Sequence, residues 1–255
     1  MNKITVFESI HKFMIYRDSL KADLKIGFVP TMGALHGGHA ELIKRSSQEN
    51  DLTVLSIFVN PTQFSNSDDL KKYPRTWESD IKVAETSGAD IVLAPNFEEA
   101  YPDNYKFKLS ENEFSLILCG AHRPGHFDGV LTVVMKLLQI VNPNRAYFGE
   151  KDFQQLKLIQ DMTAALFLRT QIVACATRRE EDGLAMSSRN VRLSPEGRKK
   201  APLLYKALLE YSDFAEAKNF LNSHGIEVEY FEQHFSRRFI AAMIDGVRLI
   251  DNVKI

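Results

Sequence analysis

Between Lys25 and Ser47 the chain passes from a strand-like run through a glycine-bearing loop into a helical pattern, and few folds accommodate that order in so short a segment. Ile26, Phe28 and Val29 form an apolar run that Pro30 interrupts, which predicts a short buried strand. Gly33, Gly37 and Gly38 give the following loop backbone angles closed to other residues and let a ligand approach the main chain. From about Gly38 the apolar positions Ala40, Leu42 and Ile43 alternate with Glu41, Lys44 and Arg45 at helical spacing. The next run, Leu52–Asn60, is rich in β-branched and apolar residues and suits a central parallel strand buried on both faces. Strand, helix and strand in this order make a βαβ unit, whose ligands gather at the carboxyl ends of the strands. The chain is therefore expected to be α/β, with a Rossmann-like parallel sheet.

The predicted helix start at Gly38 exposes unpaired N–H groups and the positive end of a dipole to whatever anion lies over the loop. His36 and His39 share that end, three residues apart, where imidazoles can donate to phosphate oxygens. Neither GxxxxGK[ST] nor GxGxxG is present, so a kinase-type P-loop and a dinucleotide fingerprint are both unsupported.

Further along, Gln63 lies on a loop at the same predicted sheet edge, with amide groups suited to reading a small hydroxy acid. Thr76 is placed to cap a helix, and Asp80 in its first turn is a candidate for facing a magnesium ion carried by a nucleotide. Ile91–Ala94 reads as a third strand, and a short strand is expected near Phe107, followed by a helix near Phe114–Leu118. Residues 120–130 hold glycines, a proline, Arg123, His126 and a second histidine, a composition that favours a binding loop before a buried helix at Val130–Val141. Arg145–Phe148, Gly149 and Asp152–Phe167 repeat the strand, turn and helix order, which would set Lys151 over a phosphate and Asp152 near a ribose hydroxyl. After a strand at Gln171–Ala176, Ser187, Ser188 and Arg189 offer hydroxyl and guanidinium donors suited to a triphosphate. Residues 5–21 read as one amphipathic helix, 195–243 as mostly helical, and Val247–Asn252 as a terminal strand.

The 255 residues, 44% hydrophobic and 25% charged, fit a soluble globular chain with one large domain and an appended lobe. With 32 basic against 33 acidic residues, no electrostatic footprint for nucleic acid is present. No run approaches the roughly 20 apolar residues that span a bilayer, and the N-terminus lacks a signal-peptide core, so no membrane partner and a cytoplasmic location are expected. Cys119 and Cys175 stand alone in apolar surroundings and are expected to be buried structural residues.

PTMGALHGGH, FVNPTQF, RPGHFDGV with FGEKDFQQ, and GLAMSSRN occur here in one order. Together these blocks resemble the pantothenate synthetase (pantoate–β-alanine ligase) family of the HxGH adenylate-forming nucleotidyltransferases. The resemblance implies a Rossmann-like domain over residues 1–177 and a smaller C-terminal α+β lid domain over 178–255, and that lobe looks shorter here than is usual in the family, since GIEVEYFEQHFSRRF runs quickly into the terminal AAMIDGVRLIDN. It also implies a homodimer that condenses pantoate with β-alanine through a pantoyl adenylate. ATP would be a substrate with Mg²⁺, and no tightly bound organic cofactor is expected. By the same resemblance Met32, Gly33, Ala34, Leu35, His36, Gly37, Gly38 and His39 form the nucleotide loop, with His39 as proton donor. Gly149, Glu150, Lys151, Asp152, Arg178, Met186, Ser187, Ser188 and Arg189 complete the nucleotide site. Gln63, Gln155, Met32, Phe58, Asn60, Arg123 and His126 are expected to hold pantoate or β-alanine. Arg178 stands where the family commonly has a small apolar residue. A sibling transferase acting on a phosphate ester would not need the paired glutamines, and a scaffold that had lost the chemistry would not need the histidines, Lys151 or Ser187–Arg189.

Overall fold

The computed structural model describes residues 4–255. The chain runs β1 (Thr5–Phe7), α1 (Ile10–Ser19), β2 (Ile26–Thr31), α2 (Gly37–Glu49), β3 (Leu52–Ile57), α3 (Ser67–Lys71), α4 (Trp77–Ser87), β4 (Ile91–Leu93) and α5 (Phe97–Ala100). It continues with α6 (Cys119–His122), α7 (His126–Val141), β5 (Arg145–Gly149), α8 (Phe153–Ala165) and β6 (Gln171–Cys175). The last part holds α9 (Pro195–Lys200), α10 (Leu203–Glu210), α11 (Phe214–Ser223), β7 (Glu227–His234), β8 (Arg237–Ile244) and β9 (Val247–Lys254).

The first six strands form a sheet in the order β1-β4-β3-β2-β5-β6, every pair of it parallel. Both of its faces are covered, which is why its strands read as unbroken apolar runs rather than alternating ones. Ile26, Phe28, Val54, Ala146 and Phe148 belong to the core with α7 and α8, while Val29, Leu55, Val92 and Tyr147 belong to the core with α2 and α4. Strand order reverses between β2 and β5, so the crevice beyond their carboxyl ends is where a ligand is expected.

A second, antiparallel sheet, β7-β8-β9, is apolar on both faces. Phe231, Ile240, Ala242 and Leu249 pack with Leu204, Leu208 and Leu221 of α10 and α11, whereas Tyr230, Phe239 and Ala241 join the core of the large sheet. A bulge between Val228 and Tyr230 shifts the side-chain parity, so Val228 and Phe231 share a core across three positions.

Four expectations are corrected. Residues 5–21 divide into an edge strand paired with β4 and a helix that Ser9 caps. Phe107 is in no strand and is 78% exposed. The helix expected from Val130 begins at His126, directly after Gly125 in a left-handed conformation. Helix ends at Ser223, and residues 227–244 are a hairpin rather than helical. That hairpin turns through Phe235 and Ser236, both at positive φ (49° and 51°) and neither a glycine, so the usual turn signal is missing.

Candidate active site

The loop after β2 is held from below by one buried carboxylate. Asp80, 2% exposed, accepts from the N–H of Ala34 at 3.0 Å, the N–H of Leu35 at 2.7 Å and the hydroxyl of Thr76 at 3.0 Å. Gly33 and Ala34 both have positive φ (77° and 51°), and a Cβ built on Gly33 would stand 3.0 Å from Asp80 Oδ2. With these three bonds the Asp80 oxygens hold the loop. Thr76 occupies the N-cap position of α4 but makes no capping bond, because its hydroxyl is turned to Asp80.

Two histidines cap α2 reciprocally. His36 Nδ1 accepts from the N–H of Gly38 at 3.1 Å, and His39 Nδ1 accepts from the N–H of His36 at 3.3 Å. A backbone N–H pointing at each Nδ1 leaves the ring proton on Nε2, so each histidine keeps one N–H donor. Burial and the neighbouring Lys151 lower His36 to about 4, and burial, His36 and Lys151 hold His39 well below its ordinary value. Both are neutral near pH 7, so each presents a neutral Nε2–H donor.

The turn after β5 carries Lys151, whose Nζ lies 3.6 Å from Asp152. Adjacent glutamines in α8 then divide. Gln154 is 5% exposed and fully engaged, accepting from the N–H of Cys119 and donating to the carbonyls of Phe114 and Ile117. Gln155 turns to the cleft. Glu150 is tied to Arg237 at 2.6 Å.

Gln63 sits in a 3₁₀ turn pressed against α7. A Cβ on Gly129 would come within 2.5 Å of the carbonyl oxygen of Thr62 and 2.7 Å of the nitrogen of Gln63, so only glycine permits that approach. Asn60, 1% exposed, donates to Gln63 Oε1 at 3.0 Å and to Gly129 at 3.2 Å, and accepts from Tyr101 and Thr62. Asn60 thus fixes the amide of Gln63 and leaves its NH₂ group to face the cleft. His126 donates through Nδ1 to the carbonyl of Gln63 at 2.7 Å and accepts from Arg123 at Nε2, at 3.0 Å. Burial and Arg123 lower His126 to about 3, while burial and Arg189 lower Arg123 to about 10, so Arg123 remains a cation whose hydrogen-bond partners are neutral.

The second loop packs over this floor. Ser188 shares a hydrogen bond with Tyr73 at 3.2 Å, and Asp69 of α3 binds Arg189 at 2.9 Å and Arg192 at 2.6 Å. Gly37 lets Met186 lie close, since a Cβ there would be 2.9 Å from its sulfur.

One cleft joins these parts at the switch point between β2 and β5. Its walls include Met32, His36, Gly38, His39, Phe58, Asn60, Gln63, Arg123, His126, Gly149, Lys151, Asp152, Gln155, Arg178, Met186, Ser187, Ser188 and Arg189. Gly33, Ala34, Leu35, Gly37, Glu150 and Asp80 are not on its wall. Sequence reasoning missed Tyr73, Asp69 and Gly129, and only the last carried a signal, a glycine opening an otherwise apolar helix. Among the described residues no group of three or more His, Cys, Asp or Glu stands together as a metal site.

A parallel sheet with a histidine-capped helix start at its switch point, and a cationic wall around it, defines a nucleotide-binding enzyme of the Rossmann-like class. Residues 5–254 match the family described as Pantoate-beta-alanine ligase. The chain is 56% identical to a pantothenate synthetase of Bdellovibrio bacteriovorus, covering 98% of this chain and 99% of that one, and 50% identical to one of Legionella pneumophila, covering 97% and 98%. A pantoate-beta-alanine ligase of Francisella tularensis, solved in complex with beta-gamma ATP and beta-alanine, superposes at a TM-score of 0.95 with 42% identity over 98% and 97% of the chains. The pantothenate synthetase of Thermus thermophilus gives 0.88 with 39% identity over 98% and 99%. The chain belongs to the pantoate–β-alanine ligase family, and its activity is the ATP-dependent ligation of pantoate to β-alanine. The compact C-terminal part is shared with these relatives, each of which is matched nearly end to end.

Proposed function

We propose that the ligation proceeds in two steps within this cleft, through a pantoyl adenylate. A carboxylate is a poor acyl donor because its leaving group would be oxide. In the first step a carboxylate oxygen of pantoate forms a bond to the α-phosphorus of ATP, and the bond to pyrophosphate breaks. In the second, the amine of β-alanine attacks the acyl carbon, AMP departs and the nitrogen loses a proton. No protein nucleophile is needed.

The observation that carries this reading is the division of one cleft between two kinds of group. Lys151, the Nε2–H groups of His36 and His39, Ser187, Ser188 and Arg189 supply cationic and neutral donors for a phosphate chain, each able to contribute a few kcal/mol where charge develops. Met32, Gly38, Gly149, Asp152, Arg178 and Met186 complete the nucleotide wall. Beyond them Gln63 and Gln155 present amides suited to the hydroxyl and carboxylate of pantoate, with Phe58 beside them and Arg123 as a cation for a carboxylate. The Francisella ligase's complex with beta-gamma ATP and beta-alanine supports both as ligands of this cleft. Magnesium would enter as the complex of ATP, with Asp80 beneath the loop that faces it. Water must be kept out in the second step, because a hydrolysed adenylate wastes the ATP.

Residues 1–177 would then form the nucleotide- and pantoate-binding unit and 178–255 a smaller unit closing over the triphosphate. A core of its own between the C-terminal sheet and α10 and α11 supports that division, and the other face of that sheet packs on the larger unit. A homodimer and a cytoplasmic location follow from the family resemblance. No helix among the described residues is long and apolar enough to cross a membrane. The test measures AMP and pyrophosphate from MgATP with each acid omitted in turn. Product release needing both acids, with pantoate alone supporting ATP–pyrophosphate exchange, is the expected result; ADP as product would overturn it.

A further inference from the structure

Two consecutive side chains of β9 reach the two segments that face the phosphates, and neither lies on the cleft wall. Asn252, 3% exposed, donates through Nδ2 to the carbonyls of Glu150 and Lys151, at 2.9 Å each. Its Oδ1 accepts from Arg237 at 2.5 Å, and Arg237 also donates to Glu150 Oε2 at 2.6 Å. The turn that presents Lys151 is thus clasped by its own backbone to β8 and β9.

Asp251, 5% exposed, receives the guanidinium of Arg179 as a fork, at 2.6 and 2.9 Å. Arg179 also donates to the carbonyl of Gly183 at 3.1 Å and stacks on Tyr205 at 3.7 Å. Residues 178–186 fold back on themselves there: Arg179 bridges Ala185, and the N–H of Met186 donates to Arg178. Met186 leads directly into Ser187–Arg189. Neighbouring side chains on a strand leave it on opposite sides. One rigid strand therefore holds the Lys151 turn with one residue and the base of the serine–arginine loop with the next.

We infer that Asp251 and Asn252 are positioning residues that keep Lys151 and the Ser187–Arg189 loop in one frame, so that both grip the same triphosphate. The inference rests on the adenylation reading above. A bidentate fork and a doubly bonded amide are geometrically demanding, whereas packing of apolar side chains alone would let the two segments slide.

The test uses the full-length enzyme with Asn252→Asp, which puts an oxygen where the NH₂ met two carbonyls, and Asp251→Asn, which spoils the fork while keeping its shape. Leu221→Ala, in the core behind the C-terminal sheet, serves as a control that destabilises without touching either segment. Pantoate-dependent ATP–pyrophosphate exchange and thermal midpoints are measured for each. The expected result is a KM for MgATP raised at least tenfold and a lowered kcat in both β9 variants, with the KM for pantoate within twofold of the parent. Leu221→Ala should lower the midpoint and leave both KM values unchanged. If Asn252→Asp does not fold, Asp251→Asn carries the test alone. Parental KM for MgATP in the folded variants, or losses of activity that follow the midpoint only, would overturn the inference. A parent without exchange would instead strike the adenylation reading, and this inference with it.

Discussion

Replacing Asp80 with asparagine keeps the shape of the buried side chain and removes its charge. In the parent the carboxylate accepts from Ala34, Leu35 and Thr76 at 2.7 to 3.0 Å. An amide can accept at one atom only, so one backbone N–H is left facing an NH₂ group. A hydrogen bond to a charged group contributes about 1.5–3 kcal/mol, and the bonds that survive fall toward about 1 kcal/mol. Ala34 has a positive φ of 51°, a conformation that costs about 1 kcal/mol and persists only while the loop is held. The net destabilisation is about 3 kcal/mol. For a chain of this size that lowers the thermal midpoint by roughly 6–12 °C. Because the same loop sets the histidine pair, the KM for MgATP should rise in the same variant. Differential scanning calorimetry and exchange kinetics read the two effects together. A variant that melts within 2 °C of the parent but needs more magnesium would refute the reasoning and return Asp80 to the metal.

Three other perturbations separate the parts of the cleft. Gly129→Ala should displace the turn bearing Gln63, because the added methyl meets backbone at 2.5 Å; the KM for pantoate should rise at least fivefold with that for MgATP unchanged. His39→Ala should fold and lose at least tenfold in adenylation rate, and unchanged pyrophosphate release would remove His39 from the chemistry. His126, lowered to about 3, stays neutral in the folded chain while the unfolded chain protonates near 6.5. Stability should therefore fall as pH drops from about 6.5 toward 3, by up to ~1.4 kcal/mol per pH unit for this group. Urea unfolding of His126→Gln over that range should give a flatter curve, and an identical slope would contradict the assignment.

Five strands of the large sheet were legible because they are short apolar runs bounded by glycine, proline and helical periodicity, signals that act within a few residues, whereas the three-residue edge strand β1 was absorbed into the helical pattern of α1. The C-terminal hairpin was not, because Phe235 and Ser236 adopt positive φ without glycine, and the run of residues 238–243 has as much helical as strand character. The Asp245-Gly246 turn that follows did carry a hairpin signal. Site residues with unusual local chemistry, such as His36, His39, Lys151 and Ser187–Arg189, could be named from the sequence, and all of them meet in one cleft. For Asp80 the helix position was visible but its hold on the loop was not, because the two N–H groups it binds lie 45 and 46 residues away. Asp69, Tyr73, Asp251 and Asn252 act only through tertiary contacts, which no local pattern announces.

The central claim, attack of the pantoate carboxylate on the α-phosphorus, is tested most directly with pantoate carrying ¹⁸O in its carboxylate. A complete turnover with β-alanine and MgATP, followed by mass analysis of the nucleotide and the pyrophosphate, reads the bond formed. One ¹⁸O in AMP and none in pyrophosphate is the predicted result. Label in inorganic phosphate with ADP as the nucleotide product, or unlabelled AMP, would contradict it.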